Sequence, residues 1–276
     1  MIDAGRGRTV VLVPGIQGRW EWMAPAVEAL SAKARVVSFS LAGDPGSPER
    51  AAPAAFDDFC RQIDAALDRA GEEAAVICGI SFGGWIALRY AVSRPRRCLG
   101  LVLVSTPSPR WKPDARIEAS LRAPWRAYPV FLWSSLDRLY RELRVTFPER
   151  PERIRFALRH LFRVLRYPQS PRSMARRVEL ACGVDLIADC RSVNVPTLVV
   201  TGDDELDLIV PCPATREFVA LVPGARYERL PGTGHLGLVT RPERFAALVA
   251  RFADGLAPAS TSGAAVPVLA AAKVAT

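Results

Sequence analysis

Ser81 lies in the sequence Gly-Ile-Ser-Phe-Gly at residues 79–83, between two segments of different periodicity. Residues 74–78 form a continuous apolar run, which is typical of a buried parallel strand, and the residues from Trp85 onward follow a helical pattern. A serine on the sharp turn between such a strand and helix projects its hydroxyl, and glycines two positions away leave room for the turn. We therefore interpret Ser81 as a nucleophile, although the same pattern also occurs in ordinary loops.

Strands and helices alternate on both sides of this turn. Strands are predicted at residues 9–13, 35–40, 74–78, 99–105, 196–200 and 226–230, and helices at 23–32, 56–70, 85–91, 214–221 and 242–253. Such alternation is typical of βαβ units with right-handed crossovers. The sequence therefore predicts an α/β fold with a doubly wound, mainly parallel sheet of about six strands.

One long segment interrupts this alternation. Residues 106–190 contain tryptophans, prolines and amphipathic helical patterns such as 133–145 and 151–165, but no buried strand pattern. A helical insertion between two strands of a parallel sheet is expected to cover the carboxyl ends of the strands, where ligands bind. We predict a core of residues 1–105 and 191–254, an all-helical cap of residues 106–190, and a loose tail of residues 255–276.

Composition excludes several classes of protein. The chain has 276 residues, 50% of them hydrophobic, with a mean hydropathy of +0.11, and it has no run of about 18 apolar residues that could span a membrane. Residues 1–8 lack the apolar centre of a signal peptide. Six scattered cysteines without Cys-x-x-Cys spacing and only two histidines make a zinc site improbable. We expect a cytoplasmic protein with reduced thiols, no metal, no cofactor and no membrane partner.

The net charge of +9 raises the question of an acidic partner. Only three of the 37 basic residues are lysines, and an arginine-, alanine- and proline-rich composition is typical of a GC-rich genome. The sequence contains no Lys/Arg-rich block and no nucleic-acid-binding motif. Nucleic acid is therefore not expected as a partner, and the sequence gives no indication of the oligomeric state.

Over about residues 9–254 the chain resembles the α/β-hydrolase superfamily. The serine turn matches the family's nucleophile elbow, and the family places an acid after a later strand and a histidine after the last strand, in the order Ser, Asp, His. Residues 201–211 and 231–237 occupy these two places. The first antiparallel hairpin of the family has no room before Thr9, so we expect a trimmed sheet of six parallel strands.

The resemblance implies that His235 is the catalytic base. A serine nucleophile needs a base whose pKa lies near the working pH, and histidine meets this requirement. The other histidine, His160, lies in a predicted cap helix between Arg159 and Arg163, where a solvated or packed role is expected.

Four carboxylates compete for the role of the triad acid. The family usually has Gly-x-x-Asp after the strand and Val-Pro shortly after the aspartate. Counting forward from Gly202 reaches Glu205, whereas counting back from the Val-Pro pair at residues 210–211 reaches Asp207. We choose Asp207, because the Val-Pro pair begins the next element, and we keep Asp204 as the second candidate.

Two backbone N–H groups are implied as the oxyanion hole. The first belongs to Phe82, directly after the nucleophile, and the second to the loop after the strand of residues 9–13. Family members usually carry His-Gly in that loop, but this chain has Pro-Gly, so Ile16 is the implied donor and Gln17 is a candidate to line the site. The missing histidine leaves the geometry of the loop open.

The resemblance implies a serine hydrolase that cleaves an ester or thioester of a small, partly apolar substrate through an acyl-enzyme. Haloalkane and epoxide chemistry is disfavoured, because those relatives carry aspartate at the position of Ser81. Carbon–carbon bond hydrolysis and acyl transfer use the same triad and stay open. A ligand-binding homologue with little turnover and a structural interaction module are alternatives from other classes, and the module leaves the elbow unexplained.

The predicted cap carries most of the positive charge. Residues 106–189 contain seventeen Lys and Arg against nine Asp and Glu, which accounts for nearly all of the net +9. A cationic cap attracts an anionic substrate. We therefore hypothesise that the substrate carries a carboxylate or phosphate, with arginines that contact only water as the alternative.

Overall fold

The computed structural model describes residues 1–257, the side chain of Asp137 excepted, and contains a seven-stranded sheet in the order β1-β3-β2-β4-β5-β6-β7. The strands are β1 (Ile2–Ala4), β2 (Thr9–Val13), β3 (Arg35–Ser38), β4 (Ala75–Ile80), β5 (Cys98–Val104), β6 (Thr197–Thr201) and β7 (Arg226–Arg229). All neighbouring strands pair in parallel except β1, which is antiparallel to β3. The prediction of an α/β fold with a mainly parallel sheet is confirmed.

The expectation that nothing precedes Thr9 in the sheet is wrong. Strand β1 pairs Ile2 with Ser38 and Ala4 with Val36. Gly5 and Gly7 have φ of 85° and 97°, a region that glycine enters readily, and this lets the chain reverse between β1 and β2. The sheet thus has the six expected parallel strands and one short antiparallel edge strand.

Two layers of helices cover the sheet. The helices of the core are α1 (Ala24–Ser31), which follows a 3₁₀ turn at Trp20–Met23, then α2 (Asp57–Ala70) and α3 (Phe82–Ser93). Strand side chains alternate between the layers, because successive residues of a strand point to opposite faces. Val11, Ile77 and Leu103 pack with α2 and α3, whereas Val10, Val76 and Val102 belong to a second apolar core that includes α1. Because β2 to β7 are parallel, their carboxyl ends lie at the same end of the sheet.

The secondary-structure elements between β5 and β6 are all helices, joined by loops. They are α4 (Ala115–Arg122), α5 (Pro124–Thr146), α6 (Arg150–Arg166), α7 (Pro171–Cys182) and α8 (Leu186–Ser192). The core continues after β6 with α9 (Cys212–Leu221), α10 (Gly237–Thr240) and α11 (Pro242–Asp254). An inserted helical cap agrees with this arrangement, while the proposed domain boundaries stay predictions.

Most of the predicted tail, residues 258–276, lies outside the described residues. Among residues 1–257, no helix is both long enough and apolar enough to cross a membrane.

Candidate active site

Ser81 occupies the turn between β4 and α3. Its backbone has φ 54° and ψ −123°, which is unusual for a residue with a side chain, and its N–H donates to the Val104 carbonyl over 2.8 Å. A Cβ on Gly79 would collide with the Gly83 carbonyl, and a Cβ on Gly83 would collide with the Val13 carbonyl. The two glycines of the motif are therefore required by the close approach of backbone segments around the serine.

His235 lies beside Asp207. Its Nδ1 is 3.2 Å from Oδ1 and 3.3 Å from Oδ2 of the carboxylate, which is almost fully buried. Asp207 Oδ1 also accepts hydrogen bonds from the N–H groups of Ile209 (3.2 Å) and Val210 (2.9 Å). Asp207 was chosen by counting back from the Val-Pro pair at residues 210–211, and the valine of that pair, Val210, holds the carboxylate in place.

The alternative acids point elsewhere. Asp204 is exposed and forms a bidentate ion pair with Arg216, whose Nη1 and Nη2 donate to Oδ1 and Oδ2 over 2.8 and 2.9 Å. Glu205 is also exposed, and Asp203 accepts a hydrogen bond from the Gly232 N–H over 2.7 Å. Of the four carboxylates in this loop, the structure brings Asp207 to the histidine.

The two side chains of this pair shift each other's pKa. Burial alone would raise the pKa of Asp207, but the adjacent His235 and the Val210 N–H hold that pKa below its usual value. Burial alone would lower the pKa of His235, but Asp207 and the nearby Glu142 carboxylate raise it above its usual value. The site therefore stabilises an imidazolium, the form that a histidine takes after accepting a proton.

The structure does not join all three predicted triad members by hydrogen bonds. Within residues 1–257, no hydrogen bond links the Ser81 hydroxyl to His235. Such bonds are often long in unliganded enzymes and shorten when substrate binds. The contact between serine and histidine stays a prediction.

The loop after β2 lies directly against the serine. An ideal Cβ on Gly15 would be 3.4 Å from both the Ser81 Cβ and the Ile80 carbonyl, and a hydrogen bond of 2.9 Å from the Gly18 N–H to the Gly15 carbonyl closes the turn. Phe82, which carries the other predicted donor, directly follows Ser81 and is the first residue of α3. These placements are compatible with an oxyanion hole, whereas the donor roles of Ile16 and Phe82 and the lining role of Gln17 stay predictions.

A cap residue that sequence reasoning missed holds the loop after β2. Arg177 of α7 donates from Nη1 to the Ile16 carbonyl over 2.7 Å, and its side chain is fully buried in an ion pair with Asp44. Asp44 also accepts a hydrogen bond from the Ser170 N–H over 3.0 Å. The partners are more than a hundred residues apart, so no local pattern in the sequence could have identified the pair.

Glu142 of α5 is the second residue that sequence reasoning missed. Its buried carboxylate accepts hydrogen bonds from the Leu236 N–H over 2.9 Å and from Thr240 Oγ1 over 3.0 Å. One turn further along α5, Thr146 donates to the Gly232 carbonyl over 3.1 Å. The pKa of Glu142 lies above its usual value, because the effect of burial exceeds that of the N–H groups of Leu236 and Gly234, which lower the pKa. The cap helix is thereby fastened to the loop that carries His235.

His160 has a packed role. Its ring stacks on Phe156 with 5.8 Å between centroids and meets Trp22 edge-on at 6.4 Å. Burial, together with the charge of Arg163, lowers the pKa of His160 to about 4, so the ring is neutral near pH 7. Of the two roles expected from the sequence, solvated or packed, the structure has the packed one.

The fold and the site define an α/β-hydrolase. The model of the alpha/beta hydrolase family matches residues 10–248, and the chain belongs to this family. It is an enzyme of the α/β-hydrolase type, and hydrolytic activity follows from that membership.

The individual relatives share less than a third of their residues with this chain. The chain is 29% identical over 266 residues to a putative carbamate hydrolase, RutD, of Caulobacter sp. (strain K31), covering 90% of this chain and 91% of that protein. It is 28% identical over 256 residues to the pimeloyl-[acyl-carrier protein] methyl ester esterase of Nitrosomonas europaea, covering 87% and 94%. An esterase from Exiguobacterium antarcticum superposes with a TM-score of 0.74 at 18% identity, covering 92% and 94%, and this likeness shows the fold alone.

Proposed function

We propose that this enzyme is a serine hydrolase that cleaves an ester or thioester bond of a small, partly apolar substrate. Ser81 is the nucleophile, His235 the base and Asp207 the acid, and the N–H groups of Phe82 and Ile16 form the oxyanion hole. The observation that carries the proposal is the contact between the buried Asp207 carboxylate and the partly buried His235 ring, in a chain whose serine holds a strained position at a strand–helix turn. This combination is the one that nucleophilic acyl transfer requires.

The proposed reaction has two halves. Ser81 Oγ forms a bond to the substrate carbonyl carbon while its proton passes to His235, and the carbonyl oxygen becomes an oxyanion between the two N–H groups. The bond to the leaving oxygen or sulfur then breaks, and His235 gives its proton to the leaving alcohol or thiol. In the second half, water gives a proton to His235 as its oxygen bonds to the acyl carbon. The bond between that carbon and Ser81 Oγ then breaks, the acid leaves, and His235 returns the proton to Ser81 Oγ.

Two relatives support carbonyl chemistry at this site. The two relatives above are named for their action on a carbamate and on a methyl ester, and each of these groups has a carbonyl carbon bonded to a heteroatom. This feature matches the bond that the proposed nucleophile attacks. The relatives differ from each other in substrate, so they support the class of reaction rather than one compound.

Labelling by a fluorophosphonate tests the proposal. With a competent triad, Ser81 Oγ attacks the phosphorus of the probe, fluoride leaves, and the phosphonylated serine is located by mass spectrometry of the digested protein. The Ser81→Ala variant stays unlabelled. Hydrolysis of p-nitrophenyl esters of increasing chain length and of acyl-CoA thioesters then identifies the preferred bond. A folded protein that neither reacts with the probe nor hydrolyses any ester would favour the ligand-binding alternative.

We also propose that the protein works in the cytoplasm. All six cysteines are free, and five of them are buried. Unpaired thiols are usual in a reducing compartment, where disulfides are rare. Fractionation of cells that produce the protein tests this location.

A further inference from the structure

A groove outside the proposed triad lies between the cap helix α6 and the 3₁₀ turn at Trp20–Met23. Its volume is about 530 Å³, and its walls include Trp20, Leu158 and Phe162 together with Arg159 and Arg163. This volume is within the range of small-molecule binding sites, which are about 300–1,000 Å³. The groove is therefore large enough for a ligand of moderate size.

The apolar wall of the groove is unusually exposed. Leu158 is 61% exposed and Phe162 is 69% exposed, and the two side chains are one helical turn apart. Three further apolar residues of α6, namely Ile154, Leu161 and Leu165, continue the same helical spacing and are also exposed. An amphipathic helix normally buries such a stripe against its own domain. Exposed apolar surface of this kind marks a place where another molecule binds.

The charge of the groove is positive. Arg159 and Arg163 are one turn apart on α6, and the ion pairs of the described cap are formed by other arginines. The one carboxylate in the walls, Glu21, is already bound by Arg19 at 2.9 Å and by the Ser40 hydroxyl at 3.1 Å. Two guanidinium groups with free donors can hold a carboxylate by charge-assisted hydrogen bonds.

We propose that this groove binds an amphiphilic anion, namely an alkyl chain that ends in a carboxylate. The carboxylate is held by Arg159 and Arg163, and the chain lies on Leu158, Phe162 and Trp20. A second copy of this protein is a poor occupant, because each chain carries a net charge of +9 that is concentrated in residues 106–189. The proposal does not depend on ester hydrolysis, because binding requires no turnover.

Calorimetric titration of the full-length Ser81→Ala variant with decanoate tests the proposal. Decanol and decyltrimethylammonium have the same chain length with a neutral and a cationic head, and each probe is used below the concentration at which it forms micelles. We expect saturable one-to-one binding of decanoate and at least about tenfold weaker binding of the other two probes. Phe162→Ser should weaken decanoate binding, because it removes part of the apolar wall.

A matched pair of double variants separates the site from the overall charge. Arg159→Gln with Arg163→Gln removes the head-group contacts, and Arg150→Gln with Arg155→Gln removes two charges from the same helix outside the groove. We expect the first pair to weaken decanoate binding at least about tenfold and the second to leave it within about twofold. Equal losses in both pairs, or no saturable binding of decanoate, would overturn the proposal. A stable dimer that buries Phe162 in its interface would overturn it as well.

Discussion

At the scale of single residues, the serine turn holds a strained backbone conformation. A positive φ at Ser81 costs of order 1–3 kcal/mol, and the surrounding backbone must hold it. Ser81→Ala keeps the Cβ, so we expect a folded protein that has lost turnover by several orders of magnitude. His235→Ala should lose a similar amount and the double variant little more, because triad members act as a unit. If the losses in activation free energy, calculated from kcat, add up in the double variant, the two residues work independently.

The acid provides a second test at this scale. An amide at position 207 cannot stabilise the imidazolium, so Asp207→Asn should lower kcat by up to about 10⁴-fold. Asp204→Asn removes a carboxylate of the same loop that is exposed and paired with Arg216, and it serves as the matched control. We expect the control to keep kcat within about twofold, because exposed ion pairs contribute little. A larger loss in Asp204→Asn than in Asp207→Asn would contradict the assignment of the acid.

The pKa directions fix the pH dependence. The histidine must be neutral to accept the serine proton, so kcat/KM should rise with pH as His235 loses its proton. Because Asp207 and Glu142 raise the pKa of His235, the midpoint of this rise should lie above the ordinary value of about 6.5. Removing a carboxylate removes part of this effect, so the residual activity of Asp207→Asn should rise at lower pH. Profiles of kcat/KM for the two proteins measure the shift, and an unchanged or higher midpoint in the variant would contradict it.

The residues that the sequence located are those with local signals. The nucleophile is identified by its glycines, whose close contacts the structure shows. The choice of Asp207 depended on the Val-Pro pair, and the N–H of its valine, Val210, donates to the Asp207 carboxylate. Arg177 carries no such signal, because a buried ion pair between distant helices and loops leaves no periodic pattern. Only the folded chain shows that Arg177 reaches the loop of Ile16.

At the scale of helices and strands, the cap and the histidine loop are joined by buried polar contacts. Glu142 of α5 accepts hydrogen bonds from the N–H of Leu236, the residue before α10, and from the hydroxyl of Thr240, the last residue of α10. Removing a buried acceptor leaves its donors unsatisfied, which costs about 1–3 kcal/mol for each group. The fastening of α5 should therefore contribute both to stability and to the position of His235.

Glu142→Ala tests this connection. We expect a loss of unfolding free energy of about 2 kcal/mol or more, and a fall in kcat that exceeds any change in KM, because the histidine loop is released. Glu152→Ala, an exposed glutamate in the first turn of α6, is the control and should change neither. Denaturant unfolding and steady-state kinetics measure the two effects. A stable Glu142→Ala variant with normal kcat would show that the contact is not needed.

The elements also differ in how far the sequence could predict them. Most of the parallel strands were recognisable because they are buried apolar runs, as β2 is. Strand β7 is different, because its sequence Arg-Tyr-Glu-Arg is mostly exposed, and β1 has three residues and is too short for any periodicity to show. Amphipathic helices were expected in the cap, but the period of a pattern does not say whether its apolar side is covered. The structure shows that the stripe of α6 is exposed, and the proposed groove depends on this fact.

At the scale of the whole molecule, positive charge is unevenly distributed. Residues 106–189 contain seventeen Lys and Arg and nine Asp and Glu, and most of this segment forms the cap helices α4 to α8. Some of these arginines have structural roles, such as the buried Arg177. Many others lie on exposed parts of α5 and α6, where their field extends into solvent. Enrichment of arginine by genome composition does not explain why the excess lies in one segment.

A salt series tests whether this charge attracts the substrate. We expect kcat/KM for an ester with a terminal carboxylate to fall steeply as ionic strength rises, because the attraction is screened over about 8 Å at physiological salt. A neutral ester of equal length is the control and should respond weakly, since its encounter with the cap involves no net charge. Arginines that contact only water and have no influence on substrate encounter predict parallel, flat responses for both esters. That result would contradict the hypothesis that the substrate carries a carboxylate or phosphate, and it would not affect the proposed triad chemistry.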